Sequence, residues 1–162
     1  MLVVGILVGV FSSAHGQGQN EWGVPGLSVD SLVTHLAATD GRRECKSPRI
    51  VVWIRLDDLS CGACLEDFVT ISAVAHSRAL SQKEEILYLV EKDNRPFEIL
   101  RRVVDRWRQI HSISYPIYVV VGFSQFGLQK SCVLFRKDDV FVGEYMPMSY
   151  EKRAVIISRM TD

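Results

Sequence analysis

Residues 50–64, IVVWIRLDDLSCGAC, join a short apolar run to a pair of closely spaced cysteines. The first five residues are apolar and mostly β-branched, which is typical of a strand buried on both faces of a sheet. Apolar residues at helical spacing follow the second cysteine to about residue 80, so the pattern predicts a helix there. We therefore expect Cys61 and Cys64 where a central strand leads into the N-terminus of a helix.

The rest of the chain alternates strands and helices in the same way. Apolar runs predict strands at 85–90, 117–121, 131–135 and 140–145, of which the last two form a hairpin. Helical periodicity predicts further helices at 27–38, 97–110 and 149–160. This alternation favours an α/β fold with parallel βαβ units, to which the hairpin adds antiparallel strands before a closing helix.

The composition limits the function of the protein. The 162 residues include 19 basic and 19 acidic side chains, so the net charge is zero, and 48% of the residues are hydrophobic. That length suggests one domain with a real core, and the neutral charge argues against a nucleic-acid-binding protein, which needs a basic surface. The histidines His35, His76 and His111 are dispersed and form no convincing catalytic triad.

The N-terminal segment favours export. Residues 2–11 are all apolar or glycine, yet this run is shorter than the roughly 20 residues that cross a bilayer. Small residues follow at Ala14 and Gly16, as at a signal-peptidase site. The pattern predicts a signal peptide at 1–16, a flexible leader at 17–26 and a single domain at 27–162. The alternative is a buried N-terminal strand, because no Lys or Arg precedes the run.

Export sets the expected location and redox context. We expect a periplasmic or other extracytoplasmic protein, with a membrane as partner only if residues 1–11 stay uncleaved as an anchor. In an oxidising compartment, a close cysteine pair is a disulfide or an exchange site.

The spacing of Cys61 and Cys64 suits redox chemistry. Unpaired amides and the helix dipole at a helix N-terminus favour a thiolate on Cys61. Two intervening residues place the Cys64 sulfur one turn away, where it can resolve a mixed disulfide. A structural disulfide is one alternative. Half a zinc site is another, but it needs two more ligands, for which Cys45 and Cys132 are available.

Cys45 and Cys132 have simpler interpretations. They are core or loop thiols, or a pair with each other in an oxidising compartment. Cys132 opens a hairpin strand and could also lie near Cys61 and Cys64, which a metallochaperone would require.

The order of elements around Cys61-Gly62-Ala63-Cys64 resembles the thioredoxin fold from about Gly26 onward. With the export signal, the chain is most similar to the extracytoplasmic TlpA/ResA-type thiol-disulfide proteins. The resemblance implies a three-layer domain that reduces or exchanges disulfides in partner proteins, with Cys61 as nucleophile and Cys64 as resolving thiol. It implies an upstream electron donor, a redox-active disulfide in place of a cofactor, and no metal.

One departure from that family concerns a proline. The family has a cis-proline, facing the cysteine pair, at the start of the strand that opens the hairpin. If 117–121 is that strand, the residue is Pro116. If 131–135 is that strand, as its pairing with the last strand favours, Lys130 or Ser131 occupies the position and 117–121 is an insertion. The clamping proline would then be absent, and a lysine there could lower the pKa of the thiols.

The residues beside the motif differ as well. The family usually has an aromatic residue, most often Trp, where this chain has Ser60. This departure favours an alternative function, a binding or scaffold protein in which the cysteine pair is a structural disulfide. Asp57 or Asp58 could accept the proton of the resolving thiol or cap the turn. Glu66 and Asp67 fall in the first helical turn and are expected to be solvated.

Overall fold

The computed structural model describes residues 22–40, 48–82, 86–113, 117–121 and 123–161. The described part contains six strands and four α-helices. In chain order they are β1 (Val24–Ser28), α1 (Val29–Asp40), β2 (Ile50–Ile54), α2 (Gly62–Gln82), β3 (Ile86–Glu91), α3 (Phe97–Ile110), β4 (Ile117–Val120), β5 (Cys132–Lys137), β6 (Val140–Tyr145) and α4 (Tyr150–Thr161). Short 3-10 helices lie at Asp58–Ser60 and Phe123–Phe126.

The strands form one mixed sheet in the order β1-β6-β5-β2-β3-β4. Strands β2, β3 and β4 run parallel to one another, whereas β5 and β6 form an antiparallel hairpin beside β2. Every residue of β2 is buried, as its apolar sequence predicts for a central strand. The connections through α2 and α3 advance in the same direction across the sheet, so right-handed crossovers place both helices on one face.

The alternation of side chains along β2 divides the core into two layers. Ile50, Val52 and Ile54 pack with buried residues of α2, α3 and α4. Val51 and Trp53 point to the opposite face and pack with residues of α1. The predicted α/β fold, with a mixed sheet, a C-terminal hairpin and a last helix, is therefore confirmed.

Strand β1 is the main difference from the sequence-based assignment of elements. Residues 24–28, expected as the end of a leader and the start of a helix, pair antiparallel with the edge strand β6. Val24 and Leu27 are buried against the sheet. The five residues include Pro25 and Gly26 and show no clear alternation of apolar and polar side chains, so the sequence does not predict a strand. The strand forms because it pairs with β6, more than a hundred residues later in the chain.

Residues 1–21, which carry the predicted signal peptide and most of the leader, lie outside the described residues. Among the helices that the structure describes, none has both the length and the apolarity needed to cross a bilayer.

Candidate functional site

Cys61 lies at the junction between the 3-10 turn and α2. Its backbone is extended, with φ −80° and ψ 118°, and its N–H donates to the Asp58 carbonyl at 3.1 Å. Its own carbonyl accepts from the Leu65 N–H at 3.0 Å, which is the first hydrogen bond of the helix. Cys61 therefore occupies the N-cap of α2, where a side chain meets the unpaired amides of the first turn.

The Cys61 sulfur is stabilised as a thiolate by this position. The backbone N–H of Cys64, the Cys64 thiol and the backbone N–H of Ala63 all donate to it and lower the pKa of Cys61 below its usual value of 9.0. The negative charge of Asp58 opposes this effect. Because Cys61 is exposed, the thiolate is open to a partner.

Cys64 has the opposite character. Its side chain is only 4% exposed and belongs to the core layer under α2. Burial raises the pKa of Cys64 to about 11, and its hydrogen bond to Cys61 and the charges of Cys61, Asp58 and Asp67 act in the same direction. At neutral pH the pair thus combines a reachable, more acidic thiol with a protected, protonated one.

Asp58 links the cysteine segment to the start of β5. Its Oδ2 accepts hydrogen bonds from the Ser131 N–H at 2.7 Å and from the Ser131 hydroxyl at 2.8 Å. The same hydroxyl accepts from the Arg55 N–H at 2.8 Å, and Ser131 is fully buried. The residue before β5 is therefore held against the turn that carries Cys61.

Strand β5 is the strand that opens the hairpin, because it pairs with both β2 and β6. Lys130 and Ser131 directly precede β5, so they occupy the position where the thioredoxin family has its cis-proline. This agrees with the expectation that 131–135 opens the hairpin. Strand β4, the other candidate, lies at the outer edge of the sheet. Pro116 falls outside the described residues. The structure contains a cis peptide bond at Met146–Pro147, directly after β6, where the Met146 N–H donates to the Ser131 carbonyl at 2.8 Å.

The other residues singled out near the motif are exposed. Asp57 forms an ion pair with Arg95 at 3.5 Å, and the Ser60 hydroxyl donates to the Asp57 carbonyl at 2.7 Å. Lys130, which was expected to lower the pKa of the thiols, is also exposed. The groups that shift the pKa of Cys61 are instead the amides of α2, the Cys64 thiol and Asp58. Ser60 therefore contributes a turn contact where the thioredoxin resemblance would place an aromatic ring.

Cys132 lies on the other side of the sheet from the cysteine pair. It packs with Trp53 and Leu134, whereas Cys64 belongs to the opposite layer. Full burial raises the pKa of Cys132 far above its usual value. Cys132 thus faces the core layer opposite the one that holds Cys64, and Cys45 lies outside the described residues. Among the residues that the structure describes, no group of three or more His, Cys, Asp and Glu side chains is arranged to hold a metal ion.

Asp67 was expected in solvent and is fully buried. Its carboxylate lies 2.6 Å from Arg153 Nη2 of α4 and accepts the Met148 N–H. Arg153 also donates to Glu66 at 2.9 Å, so one guanidinium joins two neighbouring carboxylates of α2. The helical spacing contained a signal for this burial, because Asp67 follows Cys64 by three positions and precedes Ile71 by four.

Comparison of the chain with protein-family models, with curated proteins and with solved structures found no match. The geometry itself is consistent with a thioredoxin-like fold, because a mixed sheet carries Cys61 and Cys64 at the N-terminus of the helix that follows its central strand.

Proposed function

We propose that the protein is a thiol-disulfide oxidoreductase that reduces or exchanges disulfides in partner proteins. The observation that carries this proposal is the difference between the two thiols of one motif. Cys61 is exposed at the N-cap of α2 with a lowered pKa, and Cys64 is buried beneath it with a raised pKa. A nucleophile and a resolving thiol need these two properties.

The proposed reaction proceeds in two exchanges. The Cys61 thiolate attacks one sulfur of a partner disulfide, which forms a mixed disulfide and releases the other partner sulfur as a thiolate. Cys64 then loses its proton and attacks the Cys61 sulfur, which releases the second partner thiol and leaves a Cys61–Cys64 disulfide. The partner gains two electrons, and an upstream dithiol returns them to the protein.

Asp58 is the proposed acceptor for the Cys64 proton. Its charge acts on both Cys61 and Cys64, and its half-buried carboxylate accepts hydrogen bonds from Ser131. Asp67 also acts on Cys64, but its carboxylate is committed to Arg153 and to the Met148 N–H. The two hydrogen bonds from Ser131 hold Asp58 in place for this role, as in general acid-base catalysis.

We also propose that the protein is exported. An exported protein of the TlpA/ResA type, in the periplasm or another extracytoplasmic compartment, would meet partners whose cysteines are oxidised. Its substrates would be disulfide-containing or dithiol proteins. The apolar run at 2–11 and the small residues after it support this location.

Trapping of partners is the direct test. In the Cys64→Ser variant the second exchange is blocked, so we expect Cys61 to remain joined to partner proteins in reducible adducts visible on non-reducing gels. The Cys61→Ser variant is the matched control and should form none. Equal behaviour of the two variants would contradict the proposal.

A redox titration distinguishes a catalytic disulfide from the structural disulfide of a binding or scaffold protein. The alternative is favoured by Ser131, which stands before β5 where the thioredoxin family has a proline. Alkylation and mass spectrometry assign the pair at each potential. A value between roughly −120 and −270 mV, the range of exchange proteins, supports catalysis. A value below about −300 mV indicates a structural disulfide.

A further inference from the structure

Exposed apolar side chains are concentrated on the neighbouring helices α2 and α3. Ile99, Val103 and Ile110 of α3 and Val69 of α2 are between 38% and 64% exposed. A single exposed apolar residue is ordinary on a protein surface, whereas a group of them on adjacent elements marks an interaction surface. The thiol chemistry proposed above uses none of these four residues.

The side chains of α3 line a groove between the two helices. Trp107 of α3 stacks on Phe68 of α2 with ring centroids 4.1 Å apart, so this pair joins the helices at the floor of the groove. Val103 precedes Trp107 by four positions and Ile110 follows it by three, so both lie on the same side of α3 as the stacked ring. Ile99 continues this apolar stripe one turn nearer to the start of the helix.

A cavity of about 250 Å³ lies at the end of the groove that is farther from Cys61. Its walls include Val69 and Ala73 of α2, Tyr88 of β3 and His111 directly after α3. Val69 therefore faces the groove from the side of α2. A cavity of this kind accepts one large apolar side chain of a binding partner, as anchor residues do at the centre of protein interfaces.

The other end of the groove leads to the exposed thiol. Helices α2 and α3 start at the same edge of the sheet, because each follows one of the parallel strands β2 and β3. Arg95, just before α3, forms an ion pair at 3.5 Å with Asp57, in the turn before Cys61. Val69 follows Cys61 by eight residues, which is about 12 Å along α2. A segment bound in the groove therefore ends near Cys61.

Two arginines border the apolar stripe of α3. Arg102 follows Ile99 by three positions, and Arg106 follows Val103 by three, so each lies beside an apolar side chain. Both arginines are exposed, and neither forms an ion pair or a side-chain hydrogen bond in the part of the chain that the structure describes. The two acidic residues of α3 stand two and five positions from Val103, on the other side of the helix. The groove thus offers positive charge beside apolar surface.

We propose that this groove docks an amphipathic helix of the disulfide-containing partner, with apolar residues at i, i+3, i+4 and i+7 and Asp or Glu beside them. The apolar residues pack against Val69 and Val103, and the carboxylates pair with Arg102 and Arg106. A groove between two helices fits a third helix better than it fits the flat surface of a membrane. Delivery of a disulfide to Cys61 rests on the proposed function, whereas the docking itself does not.

Binding is tested in the Cys61→Ser protein, in which the proposed thiol exchange is blocked. The probe is a helical peptide with leucines at the four apolar positions and glutamates beside them. A peptide with lysines in place of the glutamates and a peptide of scrambled order are the controls. By calorimetry, we expect the glutamate peptide to bind saturably and about tenfold more tightly than either control.

The other outcomes of this titration would overturn the proposal. Equal binding of the lysine peptide would contradict the role of the arginines. No saturable binding of the glutamate peptide would remove the docking site. If the protein instead sedimented with phosphatidylglycerol vesicles and bound no peptide, the surface would belong to a membrane contact.

A matched pair of valines tests the apolar wall. Val103 and Val155 are 38% and 39% exposed, on α3 and α4 respectively. Val103→Asp should weaken binding of the glutamate peptide about tenfold, because it places a carboxylate in the apolar stripe. Val155→Asp should bind as the wild type does, and melting curves show that both variants are folded. Equal affinity of the two variants would contradict the groove.

Charge reversal tests the rim without disturbing the apolar residues. Arg106→Glu should weaken the glutamate peptide about fivefold and strengthen the lysine peptide, because an attraction becomes a repulsion. Arg101→Glu is the matched control, since Arg101 is also exposed and stands two positions before Val103, on the other side of α3. The same change of affinity in both variants would show only a general effect of net charge and would refute the specific pairing.

The link to Cys61 has its own measurement in the wild-type protein. The glutamate and scrambled peptides each carry a terminal cysteine as a mixed disulfide with thionitrobenzoate. The Cys61 thiolate attacks the peptide sulfur and releases thionitrobenzoate, and Cys64 then attacks the Cys61 sulfur and releases the peptide thiol. We expect the rate constant for thionitrobenzoate release to be about tenfold higher for the glutamate peptide.

The two proposals fail in different ways. Equal rates for the two peptides would overturn the delivery of a disulfide by the groove, even if the glutamate peptide binds. Release from neither peptide would contradict the thiol-disulfide function, and binding to the Cys61→Ser protein would still report on the docking site.

Discussion

Cys61 and Cys132 are two thiols under the influence of one carboxylate, Asp58, and they differ in almost every other respect. Cys61 caps a helix in solvent and has a lowered pKa, whereas Cys132 is buried in a strand and has a raised pKa. Asp58 raises the pKa of both. Because Asp58 acts on both thiols, its charge does not explain why they differ. The reactivity of Cys61 comes from the helix amides that donate to its sulfur and from its exposure.

Loss of the Cys61 thiol should reduce activity far more than loss of the Cys132 thiol. We predict that Cys61→Ser lowers dithiothreitol-driven reduction of insulin to the uncatalysed rate, because it removes the only exposed sulfur among the residues that the structure describes. Cys132→Ala should keep at least half of the wild-type rate. A turbidity assay measures both, and a comparable loss in the two variants would remove the distinction.

Alkylation rates should distinguish Cys61 from Cys132 directly. We expect iodoacetamide to modify Cys61 in the native protein with a half-maximal rate at a pH below 9.0, because its folded pKa is lowered. Cys132 should stay unmodified until the protein unfolds. Mass spectrometry of the reduced protein after short exposures from pH 6 to 10 assigns each site, and early labelling of Cys132 would argue against its burial.

Stability at high pH reports the buried thiols. Burial raises the folded pKa of Cys64 to about 11 and raises that of Cys132 as well, so their contribution is complete below pH 9.0 and declines as the pH rises through the folded values. Each thiol steepens this decline by at most about 1.4 kcal/mol per pH unit. In urea unfolding between pH 8 and 11, Cys132→Ala should therefore lose stability less steeply than the wild type, and parallel curves would contradict this.

Asp58→Asn should have a smaller effect on the thiols than the substitutions above. Removing the negative charge should shift the alkylation profile of Cys61 to lower pH, because Asp58 raises the pKa of that thiol. Turnover should still fall if Asp58 accepts the Cys64 proton. Asp57→Asn is the matched control, since Asp57 is exposed and paired with Arg95. A shift in the opposite direction would show that Asp58 acts on Cys61 mainly through structure.

Local sequence patterns predicted most of the fold correctly. The apolar run of β2, the helical spacing after Cys64 and the two strands of the C-terminal hairpin appear where the periodicities place them. Ser149 was expected to begin the last helix, and its hydroxyl accepts the Lys152 N–H at 3.3 Å. These features depend on residues within a few positions of one another, so they can be predicted without the tertiary structure.

Contacts between distant segments were not predicted. Arg153 lies 86 positions after Asp67 along the chain, so the charge pattern of the first turn of α2 alone suggested a solvated carboxylate. The same limit applies to His76 and His111, which looked dispersed and line one cavity. The periodicity of apolar residues indicates which face of a helix or strand is buried. It does not indicate which other element packs against that face.

Local patterns along the chain are enough to place two cysteines at the N-terminus of a helix behind a buried strand, because spacing and periodicity depend on neighbouring residues. The packing of distant elements buries Cys64 while Cys61 stays exposed, brings Ser131 to Asp58, and turns Cys132 toward the opposite layer. Burial and pKa depend on which elements pack together, and that packing is a property of the whole chain.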